Sequence, residues 1–320
     1  MIAKLRRTSS SMQISILIAA LVVLLVIAGI ATPGFLTYKH LSMVLYVNTM
    51  LGILALAQTL GILSGGLDLS IGSTYWMTVM AGALLMADGN TILPAIACLL
   101  IGILIGSING IAIAKLKIPH VVMTLAMMVI LTGVLYVTTG GGGHGRATEQ
   151  LISFTTGWVF GFPIISLIWI FLSVLFYLLL KFTPFGWRIR ALGGNPVASR
   201  CSGIRVERIQ IGVYILSGLL AALAGLLYLG WARTPYPTFQ SGAGVGADIM
   251  MKSIAAVVIG GTLFSGGQGG VERTFLGVLI LSTLFSLVIM AGLGVEWQIM
   301  LTGIIIISVV GIYSQTKKRT

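Results

Sequence analysis

Of the side chains most used for acid–base and metal chemistry, this 320-residue chain has seven acidic residues, three histidines and two cysteines. They do not cluster. His144 and Glu149 stand five apart in a glycine-rich stretch, which matches no zinc-ligand spacing. There are two cysteines, Cys98 in an apolar run and Cys201 in a basic loop, which excludes a framework of disulfides, and neither is read as catalytic. The chain has no G-x-x-x-x-G-K-[ST] phosphate loop, no H-E-x-x-H, and no G-x-S-x-G elbow followed by triad partners. The best-placed acid is Asp68, between Gly65-Gly66 and Ser70, a residue able to cap the next helix. It reads two ways: it holds the turn and the helix N-terminus electrostatically, or it lines a path. The pattern predicts no enzyme chemistry, no cofactor and no metal.

The elements that must position these groups are set by composition. Hydrophobic residues make up 57% of the chain and charged residues 8%, where a soluble domain has roughly 25% charged. Apolar runs recur at the length a bilayer core requires. The net charge of +12 sits in short gaps between these runs, as positive-inside asymmetry demands. No polar segment long enough to fold alone carries a basic stripe interleaved with aromatics, which excludes nucleic acid as a partner.

The expected architecture is all-α, a polytopic integral membrane protein forming one transmembrane domain over 1–320. Spans are predicted near 13–31, 41–62, 71–87, 91–114, 119–138, 163–181, 208–231, 248–263, 274–292 and 297–313. The first is too long for a signal-peptide core and reads as a retained anchor. Ten spans put the basic N-terminus (Lys4, Arg6, Arg7), Lys115 with Lys117, the run from Lys181 to Arg208, and the tail Lys317-Lys318-Arg319 on one cytoplasmic side. Residues 139–162, opening on four consecutive glycines, read as a flexible external loop. Ser64-Gly65-Gly66 and Ser265-Gly266-Gly267 each separate two apolar helices, a weak parallel repeat and a pointer to a transport path.

Within the spans, Asn48, Gln58 and Asn109 are uncharged polar groups that either hydrogen-bond between helices or, with Asp68 and Ser70, line a path. Gly102, Gly106 and Gly110 form a smooth stripe for close helix packing. Trp231 with Arg233 and Trp297 with Glu296 sit at boundaries, where an aromatic belt is the default. The loop holding Arg233, Pro235 and Pro237 is alternatively a docking surface for a binding protein.

The basic loop over 182–208 contains a local helix signature. Asn195 is an N-cap, Pro196 fits the first turn, and Gly203 is a left-handed stop before Ile204. Val197, Cys201 and Ile204 share one predicted face, with Arg200 off it, a knob suited to a groove on a partner protein. The same loop could instead rest on anionic lipid headgroups.

Three segments resemble the ribose-type sugar permeases of ATP-binding-cassette importers: Ser64-Gly65-Gly66-Leu67-Asp68-Leu69-Ser70-Ile71-Gly72-Ser73, Ala191-Leu192-Gly193-Gly194-Asn195 with Ser202-Gly203-Ile204, and the stretch from Ile254 to Thr262. The resemblance covers about residues 35–313 in order. It implies a bacterial inner-membrane permease, paired as a homodimer or heterodimer, with cytoplasmic ATPase subunits and a periplasmic sugar-binding protein. It also implies that Gly194, Asn195, Pro196, Arg200, Ser202 and Gly203 belong to a coupling helix that docks on the ATPase. Two stretches depart from the family pattern: Asp248 and Met250 with Lys252, where a Gly-x-Glu is usual, and Glu272-Arg273-Thr274. The rival class is a secondary carrier or facilitator working without ATP, which requires buried charged pairs. A membrane enzyme would need clustered His, Asp or Glu near one face.

Overall fold

The computed structural model describes residues 10–236, 244–262 and 264–317, and it is built almost wholly of helices. In chain order these are α1 (Ser10–Ala31), α2 (Tyr38–Leu63), α3 (Ile71–Leu85), α4 (Ile92–Ala114), α5 (His120–Thr139), α6 (Glu149–Thr156), α7 (Ile164–Phe182), α8 (Pro184–Gly194), α9 (Pro196–Cys201), α10 (Val206–Ala232), α11 (Ala247–Ile259), α12 (Val271–Met290) and α13 (Val295–Lys317). Lys4, Arg6, Arg7, Pro237, Lys318 and Arg319 lie outside the described residues.

Among the described residues, seven helices are long and apolar enough to cross a bilayer: α1, α2, α4, α5, α7, α10 and α12. The other three predicted spans are also helical, but α3 has 15 residues and α11 has 13. At 1.5 Å per residue these reach about 22 and 20 Å, short of the roughly 30 Å hydrocarbon core. Hydropathy found their positions but not their lengths, because the glycine-rich turns beside them are themselves apolar and do not break the window average.

Burial sorts the helices by their solvent. Only 6% of the most apolar window of α1 is buried, against 61% in α2 and in α10. Much of α1 is accordingly exposed, Val22, Val23, Val26 and Ile30 among its side chains, an apolar surface suited to lipid or to a neighbouring subunit. The core is α2, α3 and α10, with α4 against α10. The glycine stripe expected on α4 does pack as expected. A Cβ on Gly102 would lie 2.4 Å from the Gly218 carbonyl oxygen, and one on Gly106 would lie 2.2 Å from that of Tyr214. On α10, a Cβ on Gly218 would lie 2.1 Å from the Gly102 oxygen. Backbones this close gain dispersion that larger side chains would prevent, which matters where lipid removes the hydrophobic drive between helices.

Residues 139–162, read from sequence as a flexible loop, contain a packed helix. The Thr148 hydroxyl caps α6 by accepting from the Leu151 amide at 3.4 Å, and Leu151, Ile152 and Thr155 are buried, with α6 against α10. A short antiparallel pair, β1 (Trp158–Val159) and β2 (Phe162–Pro163), follows. Leu151 and Ile152 supply its only apolar buried positions, and eight residues are too few for periodicity to stand out.

Candidate functional site

The basic loop holds two helices. Asn195 Oδ1 accepts from the amides of Val197 and Ala198, both at 3.0 Å, and Pro196 occupies the first turn of α9. Gly203 adopts φ +79°, where its amide bonds to the Arg200 carbonyl and that of Ile204 reaches back to Ser199, closing the helix. Val197, Arg200, Cys201 and Ser202 are exposed. Ile204, expected on the outward face, instead packs against the core, because the left-handed stop turns the chain inward. The exposed knob is therefore Val197 and Cys201 with Arg200. The preceding helix α8, which was not foreseen, leads from the membrane to this knob.

At the end of α8 three glycine motifs meet backbone to backbone. A Cβ on Gly193 would stand 1.9 Å from the Leu63 carbonyl oxygen and 2.5 Å from the Gly267 nitrogen. The Gly267 amide donates to that same Leu63 oxygen at 2.9 Å. On Gly266 a Cβ would come within 2.6 Å of the Gly193 oxygen, while Arg190 Nη1 donates to the Gly269 carbonyl at 2.9 Å. The two Ser-Gly-Gly loops, suspected as a repeat, thus converge on one point directly beside α9. Gly194, by contrast, has open space around its Cβ position.

From the first of these loops the chain runs into a buried polar network. Asp68 Oδ1 accepts from the Ser70 amide at 3.0 Å and the Ser70 hydroxyl at 2.6 Å, and Oδ2 accepts from the Ser217 hydroxyl at 2.7 Å. Asn109 Nδ2 donates to the Ser70 oxygen at 2.9 Å. The Leu67 carbonyl accepts from Thr124 at 3.3 Å and from Tyr214 at 3.4 Å, and His120 Nδ1 lies 2.8 Å from the Tyr214 oxygen. Loop 64–70 is therefore held by α4, α5 and α10 at once. All three of Asp68, Ser70 and Asn109 are buried, and a carboxylate without a cation at that depth is tolerated only because every bond it makes is to a donor.

Of the five residues expected to line a path, three come together and two do not. Asn48 Nδ2 donates to the Val44 carbonyl of its own helix at 2.9 Å, and among the described residues no bond to another helix is found for it. Gln58 is fully buried, and neither its Nε2 nor its Oε1 has a partner among the described residues. Ser217, Tyr214 and His120 were missed because a lone Ser, Tyr or His in an apolar helix carries no local signal; only the fold brings them to Asp68. Trp231, read as a belt residue, joins a run of rings with Tyr228 at 5.7 Å and Tyr46 at 6.3 Å, while Trp297 remains exposed. The Asp248, Met250 and Lys252 departure lies on α11, where Met250 is buried and Lys252 Nζ stands 5.4 Å from the centre of the Phe285 ring.

The family described as branched-chain amino acid transport system / permease component matches residues 40–310. The chain belongs to this permease family. The permease is 35% identical to the ribose import permease protein RbsC of Escherichia coli (strain K12) over 296 residues, covering 90% of this chain and 89% of that one. It is 34% identical to the protein of the same name from Bacillus subtilis (strain 168), with 90% and 88% covered. The autoinducer 2 import system permease protein LsrC of Escherichia coli O9:H4 (strain HS) is 32% identical, with 91% and 83% covered. No solved structure matches the permease. Membership makes it a multi-pass transport subunit of the bacterial inner membrane and not an enzyme.

Proposed function

We propose that this permease is the membrane subunit of an ATP-driven importer that receives a ribose-class monosaccharide from a periplasmic binding protein. In this reading it crosses the membrane ten times with both termini cytoplasmic and pairs with a second permease copy around a central path. It takes its driving force from a cytoplasmic ATPase seated on α9. The ribose class comes from the names of its relatives, and the ten spans from counting α3, α11 and α13 with the seven long helices. That even count keeps Lys115, Lys117 and the α8–α9 loop on the side of both termini.

The observation that carries the reading is the continuity from an exposed, capped helix to both Ser-Gly-Gly loops. When the ATPase pair closes, α9 moves with it, and α8 transmits the displacement because Gly193 is wedged between Leu63 and Gly267. The half-length helices α3 and α11 adjoin those two loops, so the same push tilts both and switches the path between its outward and inward states. A carrier working without ATP needs buried ion pairs, whereas the ion pair between Arg146 and Glu149 is exposed.

Co-purification of the tagged permease from its native membrane in mild detergent tests the assembly, with an ATPase and a periplasmic sugar-binding protein expected in the eluate. Recovery without any ATPase would favour the carrier. Two variants test α9. Asn195→Ala removes the cap, worth about 1 kcal/mol, and Gly203→Val forces a β-branched residue to φ +79°. Each is expected to lower ATPase recovery severalfold while leaving permease yield intact. Unchanged recovery in both would remove α9 as the docking element. Topology is tested by cysteines introduced near Gly142 and Gly194, which are expected to be labelled from opposite sides; labelling from the same side would overturn the ten-span arrangement.

A further inference from the structure

A cavity of about 870 Å³ opens where α7 ends, between the start of α8, the end of α9 and the start of α10. Arg188, Arg205 and Arg208 line it, and no acidic residue does. No ion pair of these three guanidinium groups is found among the described residues. Glu207, next to Arg208 in sequence, is exposed but does not line the cavity. Pro184, which opens α8, and Arg205, the N-cap of α10, also line it, so the N-terminal ends of two helix dipoles face the same site. Three unneutralised guanidiniums around one concavity call for an anion with several oxygens, and phosphate oxygens match the planar fork of arginine.

The apolar side of the site identifies the source of that phosphate. Phe171, Val174, Leu175, Leu178 and Phe182 are all exposed and recur at helical spacing, forming one stripe on α7 that ends at the cavity. Phe182 and Trp187 are 67% and 70% exposed at its rim. A free phosphate would use the guanidinium groups alone. A phospholipid uses both: its headgroup enters among the arginines while its acyl chains lie along α7.

We propose that this cavity is a specific site for an anionic phospholipid, held by Arg188, Arg205 and Arg208 with its chains against the exposed face of α7. The site borders the Gly203 end of α9, so a bound lipid braces the loop that carries the knob. The proposal depends on the chain being an integral membrane permease and does not depend on the substrate or on the ATPase.

The test uses the purified full-length permease alone, in detergent, by native mass spectrometry, titrating phosphatidylglycerol, phosphatidylcholine and inorganic phosphate separately. Phosphatidylglycerol is expected to be retained at least tenfold more tightly than phosphatidylcholine. Arg188→Gln, Arg205→Gln and Arg208→Gln are each expected to weaken it about fivefold, as one basic group near an anionic surface is worth. Phe182→Ser is expected to weaken the lipid and leave any phosphate binding unchanged. Arg188, Arg205 and Arg208 are exposed, so the single substitutions leave the core untouched and each variant can be purified and titrated. Equal retention of the two lipids would overturn the proposal. So would millimolar phosphate displacing phosphatidylglycerol, which would make the cavity a free-anion site. If the single variants leave lipid retention intact and abolish ATPase recovery from native membranes, the cavity is a protein-docking surface and the lipid assignment fails. Because the lipid titration is done without ATPase or sugar, failure of the importer reading cannot produce or hide any of the lipid results.

Discussion

Gly193→Val is expected to abolish transport while leaving the chain inserted in the membrane. The Cβ of any larger residue at 193 would stand 1.9 Å from the Leu63 carbonyl oxygen and 2.5 Å from the Gly267 nitrogen. Both neighbours are backbone, and they are bonded to each other through the Gly267 amide, so neither can swing aside as a side-chain tip would. The junction must open, at a cost of about 3 kcal/mol, the upper part of the usual overpacking range. It joins α8 to both Ser-Gly-Gly loops, whereas the spans hold together through contacts elsewhere, such as the α4–α10 glycine stripe. The expected pattern is therefore near-normal membrane yield and retained ATPase docking, with sugar uptake into vesicles at background. Gly194→Ala, one residue on, meets nothing within 4 Å and is expected to transport normally. If Gly193→Val transports as well as Gly194→Ala, the junction does not carry the coupling.

Asp68 separates two effects of one carboxylate. Asp68→Ala strands three buried donors, the Ser70 amide and the Ser70 and Ser217 hydroxyls. At about 1–3 kcal/mol for each unsatisfied buried group, with hydroxyls able to rotate to other acceptors, a loss of roughly 3 kcal/mol follows. This variant is expected to lower both assembled permease and its melting temperature in detergent. Asp68→Asn keeps one acceptor oxygen, and the added NH2 can donate to a serine hydroxyl turned to accept it. It is expected to assemble close to the wild type while uptake falls about tenfold, because loop 64–70 loses charge-assisted bonds that are roughly twice as strong as neutral ones. Full uptake by Asp68→Asn would leave the carboxylate with a purely structural role.

Much of the α9 helix was legible from three residues. Asn195, Pro196 and Gly203 act within one turn of their own positions, so cap, first turn and left-handed stop follow from local chemistry whatever the rest of the chain does. The Gly102, Gly106 and Gly110 stripe was legible for the same reason: a four-residue repeat places small residues on one face regardless of partner. The partner itself, α10 at Gly218, was not. Asn48 and Gln58 show the opposite failure. A polar residue in an apolar helix announces a need for a hydrogen bond without saying where it is met, and here Asn48 turns to its own helix.

By itself the sequence determined an integral membrane chain of apolar helices, its basic loops and the capped helix among them. Hydropathy is additive over a window of residues, and capping is decided within a turn. Only the tertiary structure decided that Leu63, Gly193 and Gly267 share one contact, that Ser217 completes the shell of Asp68, and that Arg188, Arg205 and Arg208 surround one cavity. A glycine, a serine or an arginine has the same local propensities whether or not a distant segment arrives beside it. The arrival is set by how whole helices pack, a collective result of many weak contacts that no window along the chain contains.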